Sequence, residues 1–148
     1  ATPPDITRDA KAFTAAVRTR IFTFLRAWDV GRFDAAIESL GGPGSAAHEE
    51  RTHADEVDSP PWWTGDALKE AREAYRAEHA HLRLDPEARN VRHTHVRPDE
   101  ARRRWVVEQV LVDPAEQNDW SGVFEVDLDA SRSANAPVVR LLSLATIG

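Results

Sequence analysis

Histidines occur in this chain as two His-x-His pairs, His79 with His81 and His93 with His95. An imidazole nitrogen is a common zinc ligand, and two residues separated by one position on a strand point to the same face of a sheet. A closed zinc site needs about four ligands, and a catalytic site needs about three and a water. Because the sequence assigns no carboxylate to either pair, we predict that no metal is bound and interpret the histidines as solvated or strand-edge residues.

Four aspartates in the last third of the chain have the chemistry of an acid/base pair or of a calcium cage. Asp127 and Asp129 lie two positions apart where a strand is expected to end, and Asp113 and Asp119 lie in the preceding loop. The Asp-x-Asp-Gly pattern of calcium-binding loops is absent from the sequence. Aspartates at strand ends commonly terminate pairing and begin turns. We therefore interpret these four as turn residues rather than as catalytic ones.

Tyr75 is the single tyrosine of the chain. A tyrosine beside a protonated aspartate forms the oxyanion site of some isomerases, which would require Tyr75 to face a cavity inside the fold. The residue falls instead on the apolar face of an amphipathic helix, with Leu68 and Ala71. We therefore predict that Tyr75 is a core residue.

Three consecutive arginines, Arg102, Arg103 and Arg104, precede Trp105. Arginine neutralises phosphate and tryptophan stacks on bases, so this segment is a candidate nucleic-acid patch. All but two of the 19 basic residues are arginine, however, and Trp105 begins an apolar strand in which it is expected to be buried. The net charge of −6 also argues against a large nucleic-acid footprint. We therefore expect weak nucleic-acid binding at most.

Several enzyme classes are excluded by what the sequence lacks. It contains neither the Gly-x-x-x-x-Gly-Lys-Ser/Thr loop of nucleotide hydrolases, nor the Gly-x-Gly-x-x-Gly fingerprint of dinucleotide-binding proteins, nor a Gly-x-Ser-x-Gly elbow. Cysteine is absent, which excludes disulfides and thiolate chemistry. We predict no catalytic residue and no cofactor in this chain.

The composition, with 41% hydrophobic and 30% charged residues, is that of a folded domain. No apolar run is long enough to span a bilayer and the N-terminus lacks the features of a signal peptide, so we expect a cytoplasmic protein. Methionine is absent, also at position 1. We therefore expect the chain to be part of a longer protein.

Three helices are predicted in the first half of the chain. The apolar residues of the first recur every three or four positions, as a buried stripe requires, and they are Phe13, Val17, Ile21, Phe24, Leu25 and Trp28. Thr7 is the expected N-cap of this helix and Gly31 the break after it. Thr64 is the expected N-cap of the third helix. The predicted helices cover residues of about 8–29, 32–40 and 65–79.

Residues 41–63 separate the second helix from the third. This segment is rich in Gly, Pro, Glu and Asp and holds no sustained period, which predicts a partly mobile surface excursion. Gly41-Gly42 is expected to end the second helix, and Trp62-Trp63 to anchor the far end of the excursion.

After Asp85-Pro86 the hydrophobic period changes from that of a helix to that of a strand. Four strands are predicted, over residues of about 89–97, 104–112, 120–129 and 137–147. The first reads as an edge strand, and loops are expected over 113–119 and 130–137. The sequence thus predicts a single α+β domain over residues 1–148, with N-terminal helices packed on a curved antiparallel β-meander. This element order looks like the cone of NTF2-like and cystatin-like proteins.

Segments in the last third of the chain resemble the uncharacterised C-terminal region of actinobacterial DEAD/DEAH-box ATP-dependent helicases. They are Trp105-Val106-Val107-Glu108-Gln109, Asp113-Pro114, Asp119-Trp120 and Glu125-Val126-Asp127-Leu128-Asp129-Ala130-Ser131. The segment Tyr75-Arg76-Ala77-Glu78-His79 and the opening helix pair are also similar. The resemblance implies a non-catalytic accessory domain of a helicase whose ATP and nucleic-acid motifs lie in motor domains elsewhere. The full-length protein would then be an ATP-dependent helicase.

Two functional hypotheses follow. In the first, the domain docks onto helicase motor domains, in the same chain or in another protein, with Arg72, Arg76, Glu125 and Asp127 at the polar rim of the contact. In the second, a free-standing NTF2-like protein has a small-molecule pocket or weak enzymatic activity, with an apolar cavity ringed by Tyr75, His93, His95 or an inward aspartate.

Overall fold

The computed structural model describes residues 5–40 and 63–147. The predicted Gly41-Gly42 stop, the excursion up to residue 62 and the anchoring role of Trp62 lie outside these residues. Within them, the elements are α1 (Ala10–Asp29), α2 (Phe33–Ser39), α3 (Gly65–Glu78), a 3-10 turn (Val91–His93), β1 (Thr94–Asp99), β2 (Arg104–Leu111), β3 (Trp120–Asp127), α4 (Leu128–Ala134) and β4 (Val139–Thr146). The fold is α+β, as predicted.

The four strands form one antiparallel sheet in the order β1-β2-β3-β4, so the predicted meander is confirmed. β1 lies at an edge, where Pro98 is tolerated because no further strand requires its missing N–H. In the part of the chain that the structure describes, no helix is both long enough and apolar enough to cross a membrane.

The core lies between the helices and one face of the sheet. The six residues predicted as the α1 stripe are the buried residues of that helix. They meet alternate residues of β2, β3 and β4, so that Phe24 packs edge-on against Phe124 with ring centroids 5.7 Å apart. Trp120 is buried. Trp105, which was expected to be buried, is half-buried and packs edge-on against Phe13 with ring centroids 5.1 Å apart.

The N-cap of α1 is Asp9, not Thr7 as predicted. The Asp9 side chain accepts a hydrogen bond from the Ala12 N–H. Thr7 instead donates its backbone N–H and its hydroxyl to the Asp5 carboxylate, so its side chain pairs with Asp5 and not with the first N–H groups of the helix. The other two terminus predictions are confirmed, since Thr64 caps α3 through the Ala67 N–H and Gly31 follows α1 with φ +82°.

The first predicted strand begins too early. Residues 89–93 do not join the sheet, because the Asn90 side chain accepts from the Arg92 N–H and starts the 3-10 turn that includes His93. The third predicted strand ends too late for a similar reason. Asp127 accepts from the Ala130 N–H and caps α4, a helix that occupies most of the predicted loop 130–137.

Candidate functional site

His79 lies between two aspartates. It is the C-cap of α3, where its N–H donates to the Tyr75 carbonyl. Its Nε2 is 2.8 Å from Asp119 Oδ1 and its Nδ1 is 3.5 Å from Asp113 Oδ2. The side chains of His79 and Asp113 are 3% and 1% exposed, whereas that of Asp119 is 42% exposed. These three residues, which we call the His79 cluster, therefore form a buried site with one side open to solvent.

Asp113 organises the loop between β2 and β3. Its carboxylate accepts the backbone N–H groups of Ala115, Gln117 and Asn118 at 3.1, 3.2 and 2.8 Å. Burial alone would raise the pKa of the Asp113 carboxyl, but these donors and the neighbouring His79 hold it below its ordinary value. Asp113 is therefore a carboxylate at neutral pH, with three of its roughly four lone-pair directions occupied by the loop.

Tyr75 lies one helical turn before His79, and their ring centroids are 5.0 Å apart. Its ring also packs edge-on against Trp28 and Trp120. The residue is 1% exposed, which confirms the core prediction, and its hydroxyl has no hydrogen-bond partner among residues 5–40 and 63–147. Burial, together with the negative charges of Asp113 and the other nearby aspartates, raises the pKa of Tyr75, so the phenol is neutral.

The His79 cluster has the ligand types of a metal centre. One ligand atom from each of its three residues can be chosen so that all three atoms lie within 4.8 Å of one another. One imidazole nitrogen and two carboxylates are suitable for a divalent transition ion. Sequence spacing could not have identified this site. His79 lies at the end of α3, whereas Asp113 and Asp119 lie in the loop after β2.

In the part of the chain that the structure describes, His93 and His95 belong to no cluster of metal-ligating side chains. His93 is buried in the 3-10 turn, and burial, together with the positive charge of Arg92, lowers its pKa. His95 is exposed and pairs with Glu108 on the side of β1 that faces away from the core. Since Tyr75 lies in the core, the expected ring of Tyr75, His93 and His95 around one cavity does not form.

The side of the sheet opposite the helices is a second candidate site. We call it the outer face, and it comprises Arg104, Val106, Glu108, Val110, Ser121, Val123, Glu125, Asp127 and Arg140. Glu125 lies at its centre with its side chain 7% exposed, 2.7 Å from an Arg104 nitrogen and 2.9 Å from an Arg140 nitrogen. Glu125 is thus held in an ion-pair cluster rather than at an exposed rim as predicted.

The candidate nucleic-acid patch is charge-compensated. Arg103 is 2.6 Å from Asp129, and Arg104 reaches Asp127 at 3.5 Å as well as Glu125. Arg102, which is exposed, lies 4.0 Å from Glu125. Each of the three arginines therefore faces a carboxylate, which lowers the local positive potential that phosphate binding requires.

Arg72 and Arg76 have partners within the fold. Arg72 donates to the Asp29 carbonyl at 2.8 Å, and Arg76 donates to both the carbonyl and the carboxylate of Asp29. They join α3 to the end of α1 and remain partly exposed, and their place at the polar rim of a docking contact stays a prediction. Asp127 is likewise occupied as the cap of α4, and it does not pair with Asp129 as an acid/base couple.

Comparison with known proteins adds a family. No curated protein and no solved structure matches the chain. A family model described as a domain of unknown function (DUF3516) matches residues 1–144. Because that match covers nearly the whole sequence, the chain belongs to the DUF3516 family.

Proposed function

We propose that this chain is a non-catalytic accessory domain of a cytoplasmic, ATP-dependent DEAD/DEAH-box helicase, and that it acts by docking its outer face onto the motor domains. The observation that supports the proposal is that, among the described residues, the helices pack against only one face of the sheet. The buried residues of α1, α2 and α3 belong to the core cluster, and that cluster includes none of the outer-face side chains among the described residues.

The outer face combines apolar and charged side chains, as contacts between domains do. Val106, Val110 and Val123 are half-buried and lie on adjacent central strands, where Val106 is opposite Glu125 and Val123 is opposite Glu108. Contacts between domains of one chain bury about 600–1,500 Å² and are more polar than obligate interfaces. A patch of valines among ion pairs is therefore suited to a reversible contact with a protein surface.

The arrangement of charges on the outer face favours a protein partner over the phosphate backbone of a nucleic acid. The ion pairs of Arg104 and Arg140 with Glu125 fix the positions of the charged groups before any partner arrives. Prearranged charges contribute specificity and register to an interface, whereas nucleic-acid affinity needs unopposed arginine or lysine.

The resemblance to helicase C-terminal regions supports the same partner. Two of the segments that carry it, Trp105-Val106-Val107-Glu108-Gln109 and Glu125-Val126-Asp127, lie in the two central strands and contribute alternate residues to the outer face. The P-loop that a motor needs is absent here. The domain would accordingly modulate the helicase rather than hydrolyse ATP.

The proposal is tested on a helicase that contains this segment. Unwinding and ATP turnover are measured for the full protein, for a version without the segment, and for that version with the purified segment added. We expect the deletion to change at least one rate and the added segment to restore it, with no ATP turnover by the segment alone. Unchanged rates in every combination would contradict docking, and tight, salt-sensitive RNA binding by the segment alone would favour a nucleic-acid role.

A pair of surface variants locates the contact. Val123→Asp places a charge at the centre of the outer face and should weaken binding to the motor domains by about tenfold or more. Val30→Asp is the matched control, because Val30 is an exposed valine at the end of α1, away from the sheet. Equal loss in both variants would mean that the outer face is not the docking surface.

A further inference from the structure

We propose that the His79 cluster, made of His79, Asp113 and Asp119, binds a divalent transition-metal ion, and that Zn²⁺ is the ion its ligands favour. The site is separate from the outer face and does not depend on the docking function. The sequence led us to expect no metal, because it assigned no carboxylate to the histidines. The structure supplies two carboxylates from one loop.

The distances suit a small ion. Zinc binds imidazole nitrogen and carboxylate oxygen at about 2.0–2.2 Å, so two ligand atoms of a tetrahedral site stand roughly 3.3 Å apart. The 2.8 Å separation of His79 Nε2 and Asp119 Oδ1 is somewhat shorter than that value. One ring nitrogen of His79 and one oxygen of each carboxylate lie within 4.8 Å of one another. An ion would take these three atoms as ligands and draw them together. Asp119, which is partly exposed, has the freedom to move onto the ion from the solvent side.

The charge of the site also favours a cation. Asp113 and Asp119 bring two carboxylates to the cluster, and one of them is fully buried. Buried charges are costly unless opposite charges compensate them. A dication between the two carboxylates would compensate both.

Tyr75 gives a second, independent indication of a ligand. Among the described residues its buried hydroxyl has no hydrogen-bond partner, although buried polar groups are nearly always paired. Its ring lies against that of His79, with the ring centroids 5.0 Å apart. A water bound to an ion in the cluster would provide the missing partner by donating an O–H to the Tyr75 hydroxyl oxygen. Three protein ligands and one water are the usual set of an open zinc site.

The ligand types discriminate between ions. Mg²⁺ and Ca²⁺ prefer six or more oxygen ligands, and an imidazole nitrogen suits them poorly. One nitrogen with two carboxylates suits Zn²⁺ and the chemically similar Co²⁺. We therefore expect Zn²⁺ to bind and Mg²⁺ at the same concentration not to.

The test begins with the chain after treatment with a chelator. Calorimetric titration with ZnCl₂ should show one ion per chain, and thermal unfolding should move to higher temperature with Zn²⁺ but not with Mg²⁺. Co²⁺ should give the intense visible absorption of a four-coordinate site. A wild-type chain that shows none of these changes would overturn the proposal, and the cluster would then be a structural contact between α3 and the loop after β2.

Variants assign the binding to these residues. Asp119→Asn, a change at a partly exposed loop position, should weaken Zn²⁺ binding by about tenfold or more, and His79→Gln should abolish it. His81→Gln is the matched control, because His81 is exposed and two residues away. Retention of full affinity in Asp119→Asn and His79→Gln, or an equal loss in His81→Gln, would show that the ion binds elsewhere.

Discussion

His79 Nε2 lies 2.8 Å from Asp119 Oδ1, so the C-terminal end of α3 is joined to the loop between β2 and β3. The same loop is held from within by Asp113, which faces the other nitrogen of the imidazole. One histidine thus connects the helical layer to the sheet layer. The predictions below concern this connection and the packing around it.

Asp113→Asn should destabilise the chain by about 1–3 kcal/mol at pH 7, because it removes the charge that accepts three backbone N–H groups. The pKa of Asp113 is lower in the folded chain than its ordinary value of 3.8. The stability that this carboxylate provides is therefore present above that value and is lost as the pH falls through the folded pKa. The difference between wild type and variant should shrink at about pH 3.

Urea unfolding of the wild-type chain and of Asp113→Asn, at pH 7 and at about pH 3, measures this difference in the free energy of unfolding. Asp66→Asn, a change at an exposed acid in the first turn of α3, is the control and should show little effect at either pH. A gap between wild type and Asp113→Asn that stays constant on acidification would argue against the ionised carboxylate as the cause.

Tyr75→Phe should leave the metal-free chain as stable as wild type or slightly more stable, by up to about 1 kcal/mol, because it removes a buried hydroxyl that has no partner. Tyr75→Ala should cost about 3–5 kcal/mol, since it also removes the ring that packs against Trp28 and Trp120. Denaturant unfolding in the presence of a chelator compares the two. A large loss in Tyr75→Phe would mean that the hydroxyl has a partner in solution.

Trp120→Ala should destabilise the chain by about 3–5 kcal/mol, as expected for a buried aromatic residue. Trp105→Ala should cost clearly less, because Trp105 is half-buried and its main aromatic contact is the edge of Phe13. Thermal and urea unfolding show which of the two variants loses more stability. Equal losses would show that Trp105 is as deeply packed as Trp120. Loss of nucleic-acid binding by Trp105→Ala without loss of stability would instead identify a stacking surface.

Glu125→Gln should destabilise the chain by about 3 kcal/mol, because it leaves Arg104 and Arg140 beside a buried group that no longer has a charge. Asp129→Asn is the matched control. It interrupts the ion pair between Arg103 and Asp129, in which both side chains are half-exposed. The free energy of unfolding should fall by less than about 1 kcal/mol. Similar small effects of both changes in urea unfolding would mean that the Glu125 cluster behaves as an ordinary surface ion pair.

Local pattern was enough to determine the α+β class and most of its elements. The three- and four-residue spacing from Phe13 to Trp28 marks the buried side of α1, because a helix brings those positions onto one face. Alternation of apolar and polar residues marked β3, and apolar residues on both faces marked β2 as a central strand. These signals depend on neighbours in the chain, so they can be read without knowing the fold. The start of β1 and the helix α4 were missed because the side chains of Asn90 and Asp127 bond to nearby backbone N–H groups and override the strand period.

Only the tertiary structure decided which polar residues meet. His79 and Asp119 are ordinary residues in the sequence, and they become partners because α3 ends over the loop between β2 and β3. Arg76 has the spacing of a solvent-exposed helix residue, yet it turns to Asp29 because the end of α1 offers a carboxylate and a carbonyl there. Glu125 is buried because arginines from the strands on both sides lie over it. A charged side chain has several acceptable partners within reach, and the packing of layers distant in sequence selects among them.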